Sequence, residues 1–372
     1  MALIQENPSE AGSLCYFQIH QRLEAAATWR VIQRRRYNTP RDRVRLCCSF
    51  EESLSTVRSG LLVINKPAGI SSRDCVNQVQ RAARDRKLKV GHAGTLDPMA
   101  TGVLLLVIGE ATRLVEQLHD LDKAYSAEFE FGKTSDTLDR EGEICVRDDV
   151  QPPSREALER ACQQWTGEVL QRPPRYSAIK INGRRAYDMA RSGIEFEAAA
   201  RPVRIDSLTL GRFDYPHWTL DIRCGSGTYV RSIGHDVAAS VDNVAIMTAL
   251  VRTAIGPFTL ADAHRLESFA SPADITSRLR SPLEGLPKWQ HVIIDARQSQ
   301  ALRHGQQIAL TTEQWSRQSA DACACVAVDQ DGQLIALVDI SSVAQARPVR
   351  VFQTPMATSQ PSSTSAKHNP ES

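Results

Sequence analysis

No apolar run in this 372-residue chain approaches the roughly 18–20 residues needed to cross a bilayer. The best candidates, Val103 to Ile108 and Val244 to Val251, are the size of a strand or a short helix, which excludes a membrane span. The opening residues, with Gln5, Glu6 and Glu10, lack the basic head and apolar centre of a secretory signal, so the chain is expected in the cytoplasm. A dominant charge sign is missing too: 45 Lys+Arg against 43 Asp+Glu leave +2, so a polyanionic partner has to be met by a local patch. The nine cysteines are odd in number, and Cys47-Cys48 and Cys323/Cys325 are too close-set for a two-residue-spaced zinc or redox hook. Free buried thiols in a reducing compartment are the simpler reading. His235-Asp236 has no partner cluster at ligand spacing, and no metal site is expected. No internal repeat is found. What is present is apolar substance, 42% hydrophobic residues, which excludes global disorder and a fibrous repeat. The length suggests two domains, since single cores stop growing at about 250–300 residues.

The ends read differently from the middle. Residues 1–58 carry a short run of arginines, Arg34, Arg35, Arg36, Arg41, Arg43 and Arg45, without sustained periodicity. A disordered, solvated extension is expected there, with an accessory phosphate-binding arm as the functional alternative. Residues 354–372, rich in Ser, Thr and Pro, read as a disordered tail. Between them, Gly60 to Lys66 predicts a buried strand stopped by Pro67. Ser71 or Ser72 caps a helix with an apolar stripe at Val76, Val79 and Ala83 and a basic face from Arg81 through Arg84, Arg86 and Lys87 to Lys89. A loop over Gly91 to Ala100, a strand from Gly102 to Ile108, a helix through Leu114, Leu118 and Leu121, and an alternating strand at Tyr125, Ala127, Phe129 and Phe131 follow.

Further on, Ser154 caps a helix with Leu158, Ala161, Cys162 and Trp165 on one face, and Asn182-Gly183 makes a turn before a helix ending near Gly193. Trp218, Leu220, Ile222 and Cys224 alternate as a strand, and Gly225-Ser226-Gly227 opens a helix with Val230, Ile233 and Val237 inward. Strands and helices intermix without a βαβ repeat, so the expected class is α+β with a mixed, mainly antiparallel sheet flanked by helices. After a hinge around Ser271-Pro272 to Pro287, Val292 to Phe352 reads as a small β-rich unit with a turn at Asp331-Gly332. The expected organisation is residues 59–270 as the main domain and 271–353 as the second.

The most unusual stretch is the loop from Gly91 through His92 and Asp97-Pro98 to Gly102. Its glycines permit close approach of backbone to a ligand, and Pro98 fixes the chain just after Asp97, so the carboxylate is presented rigidly. Two readings stand: a turn carrying a structural aspartate, or a nucleophile or base. A two-carboxylate hydrolase is disfavoured because the loop holds one carboxylate. Gly225-Ser226-Gly227-Thr228-Tyr229-Val230-Arg231 is a helix start with Tyr229 and Arg231 in its first turn; as a nucleotide motif it lacks the third dinucleotide-fold glycine.

Five blocks carry a resemblance. Asn65-Lys66-Pro67-Ala68-Gly69-Ile70-Ser71-Ser72, the Gly91 to Gly102 loop, Lys123-Ala124-Tyr125, Arg175 to Lys180 and Gly227 to Arg231 resemble, in the same order, the signature blocks of the TruB family of tRNA pseudouridine-55 synthases. The resemblance spans about Ser59 to Phe258. It implies the pseudouridine synthase fold and an isomerase that converts uridine to pseudouridine in the T-loop of tRNA. It makes Asp97 the catalytic residue and pairs Arg231 with it. By the same matching Tyr125 stacks on the extruded uracil and takes its C5 proton, Tyr229 and Leu250 line the base pocket, and His92 helps hold the RNA. Lys66 and Pro67 support the loop.

The resemblance implies tRNA as partner, bound at its T-arm, and a monomer with no obligatory protein partner, cofactor or metal. Val292 to Phe352 resembles a PUA-like RNA-binding domain by position and strand pattern. Two positions depart from the family pattern: Asn65 stands where many relatives carry Asp, and Val251 precedes Arg252 where an Arg pair is common. Alternatives of other kinds are a non-catalytic tRNA-folding chaperone, a guide-RNA-dependent ribosomal RNA pseudouridine synthase and a base-excising glycosidase.

Overall fold

The structure, a computed structural model, describes residues 59–177, 179–181, 183–316, 324–353 and 356–358. The Arg-rich extension, Cys47-Cys48, Cys323, Asn182 and most of the tail lie outside the described residues. The larger sheet has ten strands: β1 (Gly60–Lys66), β2 (Val90–Ala93), β3 (Thr101–Ile108), β4 (Lys123–Phe131), β5 (Gly167–Gln171), β6 (Arg201–Asp214), β7 (His217–Cys224), β8 (Ala245–Ile255), β9 (Phe258–Thr259) and β10 (His264–Arg265). Their order is β10-β1-β3-β8-β4-β7-β6-β5, with β2 added to β3 and β9 to β8. Only β1 with β10 and β3 with β8 run parallel in this sheet, so it is mixed and mainly antiparallel, as the intermixed sequence pattern predicts. Helices α1 (Ser72–Ala82), α2 (Val115–His119), α3 (Arg155–Gln164), α4 (Ala186–Arg191), α5 (Val230–Ala239) and α6 (Ala296–Arg303) accompany the strands.

β1 from Leu61 to Ile64 and β3 from Val103 to Ile108 are continuously apolar because both of their faces are covered. Leu62, Ile64, Leu104 and Leu106 join a core with Val76 and Val79 of α1, Leu158 of α3 and Ile233 of α5. Their neighbours Leu61, Val63, Val103 and Leu105 point the other way, into a core with Leu114 and Leu118 and with Val326, Leu337, Phe352 and Met356 from the end of the chain. Val326 and Leu337 belong to a second sheet of five strands, which Phe352 and Met356 follow: β11 (Gln290–Ile293), β12 (Ile308–Ala309), β13 (Ala324–Val328), β14 (Leu334–Ile340) and β15 (Gln345–Val351), in the order β11-β13-β14-β15-β12. Its other face packs on Leu302 of α6. The packed chain continues past Phe352: Met356 is buried and the Ala357 N–H donates to the Ser59 carbonyl at 2.8 Å.

Local sequence explains the caps. Ser71 closes a capping box with Asp74 at the start of α1, and Ser154 Oγ accepts the Ala157 N–H at the start of α3. The basic residues Arg81, Arg84, Arg86, Lys87 and Lys89 are all exposed, as expected. Two expectations change. The segment Val90–Ala93 is a strand paired with β3 rather than the start of the loop, and the helix through Leu121 is a 3-10 turn (Gly109–Leu114) followed by the short α2.

One transverse row of the sheet places the site. Lys66 is opposite Gly102, Gly102 opposite Arg252 and Arg252 opposite Tyr125, so four strands bring these residues to one line. β8 bulges between Arg252 and Ala254, which re-aims the strand at that point. Gly102 sits at φ +101, and a Cβ there would lie 2.2 Å from the Arg252 carbonyl oxygen. Gly102→Ala is therefore expected to cost about 3 kcal/mol or more of unfolding free energy, read as a drop in denaturant midpoint at unchanged m.

Candidate active site

Asp97 lies on the connection between β2 and β3. Its carbonyl accepts the Ala100 N–H at 3.1 Å, closing a turn with Pro98 at the second position, where a fixed φ is favoured. The turn is clamped from several sides. Ser72 Oγ bridges the main chain of Leu96, accepting its N–H at 2.9 Å and donating to its carbonyl at 3.1 Å. Gly69 N–H donates to the Pro98 carbonyl at 2.9 Å. Lys66, fully buried at the end of β1, donates to the carbonyls of Pro67 (2.9 Å), Pro98 (3.1 Å) and Ala100 (2.7 Å). Burial pulls the Lys66 ammonium below its ordinary range, partly offset by Cys75 and by the carboxylates of Asp97 and Glu141. Lys66→Met leaves these carbonyls without their charged donor and is expected to lower stability by about 2–4 kcal/mol, measured by urea unfolding.

Arg252 holds the same connection from β8. Its Nε donates to the Val103 carbonyl at 2.7 Å, Nη2 to Gly94 at 2.9 Å and Nη1 to Thr95 at 3.4 Å. It is 1% exposed, and the sequence reading did not single it out as a site residue. The signal was a lone arginine ending the apolar run Ala245 to Val251.

The Asp97 carboxylate itself is left free of the turn. Arg231, on the first turn of α5, meets it with Nε to Oδ2 at 3.1 Å and Nη2 to Oδ1 at 3.5 Å, a forked approach. The Arg231 side chain is 7% exposed and that of Asp97 34%, so the arginine is the buried backing and the carboxylate the reachable face. Arg231 is fixed in turn by the carbonyls of Thr137 (2.8 Å) and Tyr176 (3.1 Å) and by Asp139 Oδ2 at 3.3 Å. Asp139 is buried, and its other oxygen accepts the Thr137 hydroxyl at 2.6 Å and the Glu141 N–H at 3.0 Å. The start of α5 is held by buried Gln171, whose amide accepts the Tyr229 N–H at 2.8 Å and donates to its carbonyl at 3.0 Å. Asp139 and Gln171 were not legible as site residues, because their partners lie 92 and 58 residues away in sequence.

Burial pushes the Asp97 carboxyl above its ordinary range. The Arg231 charge opposes this most strongly, Asp139 adds to it, and Lys66 and Arg252 help Arg231. Tyr125 is half-buried on β4, opposite Arg252 in the sheet, and its phenol feels the Arg252 and Asp97 charges. Burial raises the Tyr125 phenol, so it holds its proton at neutral pH.

Leu250 is nearly buried in the core that also contains Leu96, Met99 and Ala100, with Tyr125 packed against it. Tyr229 caps α5, and its ring lies under the Arg201 guanidinium at 5.4 Å. His92, on β2, is half-buried; its Nδ1 is enclosed without a hydrogen-bond partner, and burial with the Arg73, His119 and Arg252 charges pulls its imidazole down to about 4. Thus the fold brings Asp97, Arg231, Lys66, Tyr125 and Leu250 around one turn. Tyr229 and His92 stand on elements that flank it. A concavity of about 770 Å³ over the second sheet, lined by His291, Asp295 and Asp329 among others, involves none of these residues.

The profile described as TruB family pseudouridylate synthase (N terminal domain) matches residues 81–230. A tRNA pseudouridine synthase B of Rhodopirellula baltica is 37% identical over 333 residues, covering 79% of this chain and 95% of that protein. One from Dinoroseobacter shibae is 47% identical over 211 residues, covering 56% of this chain and 68% of that protein. Among solved structures, a Cbf5-Nop10-Gar1 complex contains a chain with TM-score 0.60 at 19% identity, covering 80% of this chain and 85% of that one. At that identity the likeness shows the fold alone. The clamped Asp97, its arginine and the match to nearly the full length of a 37% identical relative lead to one conclusion: the chain belongs to the TruB family of pseudouridylate synthases.

Proposed function

We propose that this protein is a tRNA pseudouridine synthase that isomerises a uridine in the T-loop, position 55 of tRNA, with Asp97 acting on the ribose. The observation that carries this reading is the Asp97 carboxylate, exposed on one face and forked by buried Arg231 on the other. Two routes use that group. Asp97 attacks C1′ as the N1–C1′ bond breaks, the uracil anion turns, and C5 then bonds to C1′ and displaces the carboxylate. Alternatively Asp97 takes the C2′ proton as N1 departs, and returns it when C5 joins C1′. In both, the C5 proton leaves last, and the regenerated carboxylate is a base that can receive it. Bonds and protons balance without oxidant, reductant or metal. Both routes require an ionised Asp97, which Arg231 favours against burial.

The target base must leave its stack to reach the turn, and the ring of Tyr125 with Leu250 beside it supplies an apolar resting place. His92 and Tyr229, flanking the turn, contact the RNA, and Lys66 and Pro67 keep the turn in place. Exposed cations adjoin the site at Arg175, Lys180, Arg184, Arg185 and Arg191, on a segment anchored where Arg231 takes the Tyr176 carbonyl, while the basic stretch Arg81 to Lys89 lies at the Ile108 end of β3, away from Asp97. The second unit, residues 271–353, is a PUA-like RNA-binding unit that extends this contact. The protein acts in the cytoplasm as a monomer, without a protein partner or cofactor.

The test is to incubate purified protein with an unmodified tRNA transcript and no other protein, then map pseudouridine by carbodiimide-dependent primer-extension stops. One stop at the T-loop uridine is expected. A stop elsewhere refutes the T-loop, dependence on added guide RNA and proteins indicates the ribosomal branch, and free uracil reveals a glycosidase. Faster tRNA folding without product indicates a chaperone.

A further inference from the structure

We propose that His119 is a positioning residue for this reaction: it accepts the Gly94 N–H through Nε2 and, with Arg252 on the Gly94 carbonyl, fixes the turn that presents Asp97. This rests on the reading of Asp97 as the catalytic residue. Gly94 is three residues before Asp97 and is the point where β2 turns into the connection, at φ +91. Its two main-chain groups are held by two side chains from different elements. The N–H goes to His119 Nε2 at 3.2 Å, and the carbonyl to Arg252 Nη2 at 2.9 Å. His119 is itself anchored: it ends α2, and its carbonyl accepts the Lys123 ammonium, two residues before Tyr125 on β4. One residue thus links, by its carbonyl and its imidazole, the strand carrying the stacking ring to the connection carrying the carboxylate.

The bond exists only while Nε2 carries no proton. The groups facing the imidazole are Lys123 from β4 and Arg252 from β8, which favour the neutral ring, and Asp120 after α2 and the main chain of His92 on β2, which favour the charged one. The His92 imidazole faces it as well and is neutral at physiological pH. Burial outweighs the rest and lowers His119 below the ordinary imidazole range. The acceptor is therefore present at neutral pH. It is lost on acidification below that range, when two N–H donors would oppose each other across the contact.

The experiment compares wild type with His119→Ala and His119→Gln, the latter supplying an acceptor that does not titrate. Three quantities are read: the single-turnover rate at saturating tRNA, the tRNA Kd, and exchange of the Gly94 amide by NMR. His119→Ala is expected to slow turnover about tenfold with Kd within about twofold, because a small displacement of the reacting group costs rate rather than affinity. Its Gly94 amide exchanges faster. His119→Gln recovers most of the rate, protects the amide and flattens the His119 part of the acid-side decline. Wild-type rate and Gly94 protection in His119→Ala overturn the proposal, as does His119→Gln behaving like His119→Ala in both. If His119→Ala does not fold, His119→Gln and the pH dependence of Gly94 exchange in wild type decide the matter. Asp97→Asn runs alongside: turnover in that variant overturns the reading of Asp97, whereas Gly94 protection still tests the His119 bond.

Discussion

Asp97→Asn is expected to abolish pseudouridine formation while leaving tRNA affinity within about twofold of wild type, because the lost group acts in the transition state and adds little to ground-state binding. An amide neither attacks C1′ nor removes a C2′ proton, yet it fills the same volume beside Arg231. The stability outcome separates the two readings that the sequence leaves open. A structural aspartate would stabilise the turn, and its replacement would lower the melting temperature. Here the turn is closed by the Asp97 carbonyl, and the carboxyl is raised by burial, so its charged form is less favourable in the folded state than in the unfolded chain. Asp97→Asn is therefore expected to melt no lower than wild type, as scanning calorimetry at neutral pH would show.

Arg231→Met is the second large effect. It leaves the half-exposed Asp97 and the buried Asp139 without the guanidinium that sits between them. Loss of that preorganised charge is expected to cost at least about a hundredfold in single-turnover rate. Leaving Asp139 buried without its cation is expected to cost about 3–5 kcal/mol of stability. The pH dependence has a definite sign. Activity needs the carboxylate, so the wild-type rate falls as pH drops through the raised Asp97 value, above the ordinary aspartate range. Removing Arg231, the largest influence opposing burial, moves that fall to still higher pH. An acid limb unmoved in Arg231→Met would mean that the limb belongs to another group.

Much of this was legible in the sequence where the signal is local. The strand at Gly60 to Lys66, the cap at Ser71, the alternation at Phe129 and Phe131 and at Trp218 to Cys224, and the turn at Gly332 follow from periods of two or 3.6 and from turn chemistry. β6 was missed because a bulge between Ile205 and Ser207 shifts the phase of its apolar residues, which breaks the alternation. The strand at Val90–Ala93 was missed because glycine and histidine give weak strand signals, and only pairing with β3 makes it one. In the site, Asp97 was legible because glycines and a proline isolate one carboxylate between apolar flanks. Asp139, Gln171, Arg252 and His119 were not, since each acts on a main-chain or side-chain group that only the fold brings near.

The most direct test of the central claim is tritium release from tRNA transcript labelled at uridine C5, followed in a single turnover with wild type and Asp97→Asn. Only formation of the C5–C1′ bond discharges that hydrogen. The account predicts one tritium released per tRNA by wild type and none by Asp97→Asn, with both proteins binding the transcript. Release by Asp97→Asn, or none by wild type with tRNA bound, would contradict it.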